Sequence, residues 1–392
     1  MLVHWIWLAR LEGISLRQKV QLLQRFSDAE ELYFTEEAED LSTEILSALR
    51  NKDLTDAEKI LRICARKYIS ILTYADEAYP RRLRNIPDPP VILYYRGTLP
   101  DWESLPVICV VGTRKATPYG ISAAKKLSRE IAACGGLVVS GCAKGIDSSA
   151  MYGAMEAGAN TVGVLGNGVD VVYPRSSREL YEQVVSTGCL ISEYEPGSRP
   201  EGWHFPQRNR IMSGIANGTL IVEAPDPSGA LITARRALEQ GRDVFAVPGN
   251  IDAPTCVGSN ALLQEGAVPV LSGWDVMKEY AAHYPNVANR KVPLQQEVRR
   301  ETVAFVAQPA AMADKKDIDK QPVNSYSGIE NSLDRLTEEE KHILACLTRE
   351  PTPVDDVIAA SGLPSGRALS LLTKLALLGL IRNHPGRLVS LK

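Results

Sequence analysis

Apolar positions in the first part of the chain recur at helical spacing. They run Trp5, Leu8, Leu11, then Val20, Leu22, Leu23, Phe26, then Ile45, Leu49, then Ile60, Leu61, Ile63. Short polar loops separate the runs, so a small helical bundle is predicted over residues 1–75. Residues 76–106 are rich in proline and arginine and read as an extended connector. From 107 the grammar changes. Apolar β-type runs, VICVVG (107–112), GLVVSG (136–141), TVGVLG (161–166), CLISEY (189–194), TLIVEA (219–224), DVFAVP (243–248) and VPVL (268–271), alternate with helical stretches. Continuous apolar strands between helices imply a parallel sheet covered on both faces.

The fold predicted for 76–282 is therefore an α/β, Rossmann-like, doubly wound and mostly parallel sheet. Its ligands bind beyond the C-terminal ends of the strands. Residues 283–332 lose periodicity in a Gln-, Pro-, Lys- and Asp-rich stretch and read as a linker. From 333 to 392 three helical runs and a hairpin pattern predict a winged-helix unit. Thr337 is its expected first cap, with Glu340 at the capping-box position.

Composition narrows the function classes. Hydrophobic residues make up 45% of 392, enough for a sizeable core, and the formal net charge is −3. A nucleic-acid ligand would then need its positive charge gathered locally. Seven scattered cysteines with no Cys-x-x-Cys pair fit a reducing compartment and give no metal site or disulfide frame. The apolar start MLVHWIWLAR is too short for a membrane span. A cytoplasmic protein without membrane, metal or cofactor is expected.

The candidate chemistry lies where strands run into helices. Five such loops carry glycine and open helices, whose N-terminal N–H groups attract anions. No phosphate-binding P-loop, dinucleotide fingerprint or nucleophile elbow is present. Asp147 and Asp170 follow strands, where a carboxylate more often caps a helix than performs acid–base chemistry. The basic residues are more telling. Arg114 and Lys144 sit in two of the loops. In FPQRNRIMSG, Arg208 and Arg210 flank Asn209 at the expected mouth of a helix. Cations there are unfavourable unless an anion lies beside them. All four are expected to face one rim, together with the rings of Tyr119, Tyr173, Trp203 and Phe205. Cations along a backbone with rings for bases are the composition of a single-strand groove.

The ordered strings VVGTRKATPYG, SGCAKGIDSSAM, VLGNGVDVVYP, SEYEPG, FPQRNRIMSG, SGALITARRA, GRDVFAVPG and GSNALLQEGA resemble the DNA-processing protein A family (DprA, also called Smf). The resemblance implies a sterile-alpha-motif-like helical domain before the core. LEGIS at 11–15 is similar to the loop of a helix-hairpin-helix unit, with Ser15 for its second glycine; an ordinary interhelix turn fits equally. The resemblance further implies a single-stranded DNA binder that is not an enzyme. Such a protein protects incoming DNA in natural transformation, loads the RecA recombinase and forms a homodimer through the core. Carried over by position, the DNA-binding residues are Gly112, Thr113, Arg114, Ser140, Gly141, Lys144, Phe205, Arg208, Asn209, Arg210, Ser228, Gly229 and Thr233. Cys142 replaces a usual leucine and Ser177 a usual asparagine. The third C-terminal helix carries only Arg367 and Lys374, which argues against duplex reading there. The alternative is a nucleotide-processing enzyme of the related phosphoribohydrolase type, whose P-G-G-x-G-T-x-x-E string is missing at PGNIDAPT.

Overall fold

Among the described residues five helices open the chain, and local capping sets where several begin. They are α1 (Leu2–Arg10), α2 (Leu16–Arg25), α3 (Ala29–Phe34), α4 (Thr43–Leu49) and α5 (Thr55–Lys67). Ser15 and Gln18 close a capping box on α2, with the Ser15 amide donating to Gln18 Oε1 at 2.7 Å. The Asp28 carboxylate accepts the amides of Glu30 and Glu31 at 2.8 and 2.9 Å. The computed structural model describes residues 1–26, 28–35, 41–287, 337–348, 350–377, 380–384 and 388–391. It divides into two units, Met1–Phe305 and Val306–Lys392.

The first unit is built on a nine-stranded sheet. After α5 come β1 (Ser70–Thr73), α6 (Arg81–Arg84), β2 (Ile92–Gly97), β3 (Val107–Val111), α7 (Pro118–Ala133), β4 (Leu137–Ser140), α8 (Ile146–Glu156) and β5 (Thr161–Leu165). Then follow α9 (Arg178–Thr187), β6 (Cys189–Ser192), α10 (His204–Ile215), β7 (Gly218–Ile221), α11 (Gly229–Glu239), β8 (Asp243–Ala246), α12 (Val257–Gln264), β9 (Val268–Pro269) and α13 (Gly273–Met277). The strand order is β1-β2-β6-β5-β4-β3-β7-β8-β9. Strands β3 to β9 pair in parallel, while β2 joins β6 and β1 antiparallel. Every apolar run expected to be a strand from 107 onward is one.

Alternation within β3 fills both faces. Val107, Cys109 and Val111 pack with Ile211, Met212, Leu231 and Ala234 of α10 and α11. Ile108 and Val110 pack with Leu127, Ile131, Ala150 and Ala154 of α7 and α8. The chain winds outward from β3 in both directions, through β4 on one side and β7 on the other. The topological switch point therefore lies at β3, where such sheets open a crevice.

Three sequence expectations change here. The proline-rich stretch 76–106 is not a mere connector, because it contains α6 and the sheet strand β2. The helices of 1–67 share a core with the sheet: Trp5, Leu8 and Ile60 cluster with Ile92, Tyr94, Leu180 and Val184. Arg10 pairs with Glu195, and Lys67 with Asp170, across the same seam. The first unit also runs past residue 283. Val287 is buried, and the Tyr284 hydroxyl accepts from Arg82 and Asn217, both at 3.2 Å. Residues 288–332 of the expected linker lie outside the described residues.

The second unit comprises α14 (Glu338–Ala345), β10 (Thr352–Pro353), α15 (Val354–Ser361), α16 (Ser365–Leu377), β11 (Ile381–His384) and β12 (Leu388–Leu391). Its strands are ordered β10-β12-β11. Ile343, Val357, Ala368, Leu371, Leu375 and Val389 form its core. Thr337 and Glu340 close the capping box on α14, and the winged-helix pattern is present.

Candidate nucleic-acid interface

The loops after β3, β4, β5 and β7 meet at the switch point and bound a groove of about 590 Å³. Gly112, Thr113 and Arg114 come from the loop after β3, and Ala143 from the one after β4. Phe205, Arg208 and Asn209 come from α10, and Ser228, Gly229 and Thr233 from the start of α11. A second compartment of about 320 Å³ shares Arg114, Ala143, Tyr173, Phe205 and Arg208, and adds Lys115 and Lys144.

Backbone geometry holds the cations at the mouth. Gly145 has φ +90, and a Cβ there would lie 2.5 Å from the Thr113 carbonyl oxygen. This close approach, with the Ile146 amide donating to the Thr113 oxygen at 3.3 Å, locks the β4–α8 loop against the β3–α7 loop. Lys144 and Arg114 both end exposed. The Arg114 guanidinium lies 5.0 Å from the Phe205 ring centroid, and Phe205 lies 5.7 Å from Tyr173. A cation and two rings thus share one wall. Among the described residues, Arg114, Lys115 and Lys144 have no ion-pair partner.

The two arginines of FPQRNR behave differently from expectation. The helix starts at His204, so both sit inside it rather than at its mouth. Two residues apart on a helix, they cannot share a face. Arg208 points under the groove, buried, and donates to the Gly141 carbonyl at 3.0 Å and to the Val164 carbonyl. Asp147 lies close enough to interact, and burial pushes its carboxyl upward while Arg208 pulls it down. Arg210 leaves the groove. Its Nη2 donates to both carboxylate oxygens of Glu193, at 2.7 and 2.5 Å, and its Nε approaches Asp88 at 3.5 Å. It is a compensated structural cation, which corrects the expectation of two free charges awaiting one anion.

Other expected residues divide in the same way. Ser140 is fully buried and donates to the Val110 carbonyl at 2.6 Å, tying β4 to β3, and it lines neither cavity. Asn209 donates to the Gly229 carbonyl at 3.2 Å and so joins α10 to α11. Ser228 caps α11 through the Leu231 amide, and Thr233 donates to the Gly229 carbonyl at 3.3 Å. Asp147 accepts the Gly141 amide at 3.1 Å, bracing the loop before α8 instead of capping the helix. Asp170 accepts Lys67 and the Gly197 amide, at the seam with the N-terminal helices. Trp203 and Tyr119 line neither cavity. Sequence reasoning missed Lys115, whose only signal was its place beside Arg114, and Asn167 and Tyr181, which look like ordinary core residues. In the second unit, both cations of α16 are engaged by α14: Arg367 donates to Glu339 at 2.7 Å, and Lys374 to Glu340 at 2.5 Å.

The arrangement matches a known family. The family model for DNA recombination-mediator protein A matches residues 70–281. The chain belongs to that family. Its first matched residue coincides with β1, so the recombination-mediator family core takes in the stretch read from sequence as a connector. The model of the DprA winged helix domain matches residues 330–387. Protein Smf of Synechocystis sp. is 35% identical over 327 residues, 80% of this chain and 78% of that protein. DNA processing protein DprA of Streptococcus pneumoniae is 42% identical over 209 residues, 52% of this chain and 72% of that protein. Its X-ray structure superposes with a TM-score of 0.63 at 33% identity, covering 71% of this chain and 98% of that one. DNA processing protein A from Helicobacter pylori, solved for its single-stranded DNA binding mode, gives 0.50 at 27% identity, covering 55% and 97%. Among the described residues no helix is long and apolar enough to cross a membrane.

Proposed function

We propose that the groove binds single-stranded DNA without chemistry on the strand, and that the protein delivers the strand to a RecA-type recombinase. One observation carries the reading: exposed, unpaired Arg114 and Lys144 flank a wall of Phe205 and Tyr173 at the switch point of the sheet. Phosphates take the cations, and bases take the rings. The related Helicobacter pylori protein, described for its single-stranded DNA binding, supports it. Cytoplasmic protection of incoming DNA during natural transformation, and a homodimer through the core, follow from the family resemblance.

Residues 112–115, 143–144, 205 and 228–229 form the contact surface in this reading. Gly141, Arg208, Asn209 and Thr233 hold that surface in shape, and Ser140 and Arg210 hold the fold. The enzyme alternative needs a free carboxylate. Asp147 is engaged with the Gly141 amide, and Glu223 accepts the Thr117 amide at 2.9 Å and its hydroxyl at 2.5 Å. A gel-shift comparison of single-stranded DNA, duplex and mononucleotide tests the choice. The expected order is single strand far above duplex, with negligible mononucleotide binding. Release of free base from a nucleotide would overturn it. For the mediator step, the protein should accelerate recombinase filament formation on DNA covered by a single-strand binding protein.

A further inference from the structure

The smaller compartment has a character of its own. Leu165 and Tyr181 form its back wall, exposed by only 1% and 4%. The polar groups of Tyr181 and Asn167 are committed inside the protein. The Tyr181 hydroxyl donates to the Tyr173 carbonyl at 3.1 Å, and the Asn167 amide nitrogen donates to the Gly168 and Val171 carbonyls. The cations Arg114, Lys115 and Lys144 sit among its lining, exposed, with Tyr173 beside Phe205. Arg208 also lines it, and the buried Nε of that side chain has no partner among the described residues.

We infer that this compartment takes one nucleotide swung out of the bound strand, with its base against Leu165 and Tyr181 and the phosphates on its two sides at Arg114 and Lys144. The inference rests on the single-strand reading of the groove. At about 320 Å³ the volume is at the lower end of ligand pockets, enough for one nucleotide and too small for two. The apolar wall suits a base and gives a bare phosphate nothing. With the Tyr181 hydroxyl and the Asn167 amide committed, the back wall has little to read a base edge, so any base enters. Swinging a base out is least costly in a single strand, where it is unpaired. The compartment therefore makes the protein choose single strand over duplex, which the surface cations alone do not.

The same chemistry could come from a free nucleotide, and the experiment separates the sources. Full-length protein is titrated with the shortest oligothymidylate that binds at full strength, so that a shift in register loses a phosphate contact. Copies carry one abasic residue at successive positions, and thymidine monophosphate is titrated in parallel. One position should lose about tenfold in affinity, the scale of a lost base–ring contact, and its neighbours less than threefold. Ser176→Trp, at an exposed position lining the compartment, should weaken the intact strand about tenfold. It should also erase the abasic sensitivity and leave the salt dependence unchanged. A flat abasic profile with full affinity for the intact strand overturns the inference and leaves the single-strand reading standing. Failure to bind the intact strand overturns both. Thymidine monophosphate binding as tightly as the oligonucleotide overturns the everted base in favour of a free-nucleotide site.

Discussion

The guanidinium of Arg208 occupies the space that a Cβ on Gly141 would need: the three nearest atoms to that position are its Nη2, Nη1 and Cζ, at 2.5–2.7 Å. Arg208 is itself held by the carbonyls of Gly141 and Val164, the strand-end carbonyls of the β4 and β5 region. Glycine and arginine thus form one device, which fixes the loop that presents Lys144. Gly141→Ala should destabilise the protein by about 1–3 kcal/mol through overpacking. Arg208→Ala should cost about 2–4 kcal/mol, because the buried carbonyls of Gly141 and Val164 lose their donor and a cavity opens under the groove. The double variant should lose less than the sum, since the clash goes with the guanidinium. Urea unfolding of the three variants measures the coupling, and strict additivity would mean the two residues are independent.

Arg210 gives a contrasting outcome. Its Nη2 is held by both oxygens of Glu193, so Arg210→Ala should lower stability by roughly 2–4 kcal/mol as a broken, largely buried pair. The salt dependence of DNA binding by the folded variant should stay that of the wild type. A reduced salt slope with unchanged stability would put Arg210 back on a phosphate.

The exposed cations set the salt response. Arg114, Lys115 and Lys144, each neutralising one phosphate, give a slope of log affinity against log salt of about −2, from roughly 0.7 per contact on a single strand. Replacing any one by alanine should shallow the slope by about 0.7 and leave the unfolding midpoint alone. Titrations at four salt concentrations suffice to read it.

Lys19 in α2 makes the seam of the first unit sensitive to pH. Its ammonium is buried and donates to the Ala9 carbonyl at 2.7 Å. Burial lowers its pKa from 10.5 to about 8, with Glu193 opposing. Between about pH 8 and 10.5 the unfolded chain then binds more protons, so this group makes stability rise with pH through that window. Lys19→Met removes the effect. Its stability relative to wild type should therefore fall by about 2–3 kcal/mol from the bottom to the top of the window, in paired urea melts. A constant difference would mean Lys19 titrates normally in the fold.

The contact surface proposed here lies wholly in the first unit, and the cations of α16 are engaged by glutamates. A chain ended after residue 287 should fold and keep most of its single-strand affinity, measured by anisotropy with a labelled oligonucleotide. Ending it at 282 instead should destabilise it, because Tyr284 and Val287 would be lost from the core.

Local pattern determined the parts of this protein that depend on neighbours in sequence. Continuous apolar runs marked the parallel strands, since a strand buried on both faces has no polar side to show. Glycine before a helix marked the loops at the switch point, and Thr337 with Glu340 marked a helix start. The resemblance carried by those strings located Gly112 to Arg114 and Lys144 at the groove. Other facts needed the third dimension. The role of β2 was hidden because a short strand set among prolines has weak periodicity, and its partner β6 lies nearly a hundred residues away. Lys115, Asn167 and Tyr181 gained their place only when separate loops met. Arg208 and Arg210 looked alike in sequence, but the helix sends them in opposite directions, one under the ligand groove and one to an acidic partner. Which charge is free and which is already paired is a property of packing, because the compensating groups, Glu193 and the carbonyl of Val164, come from distant strands.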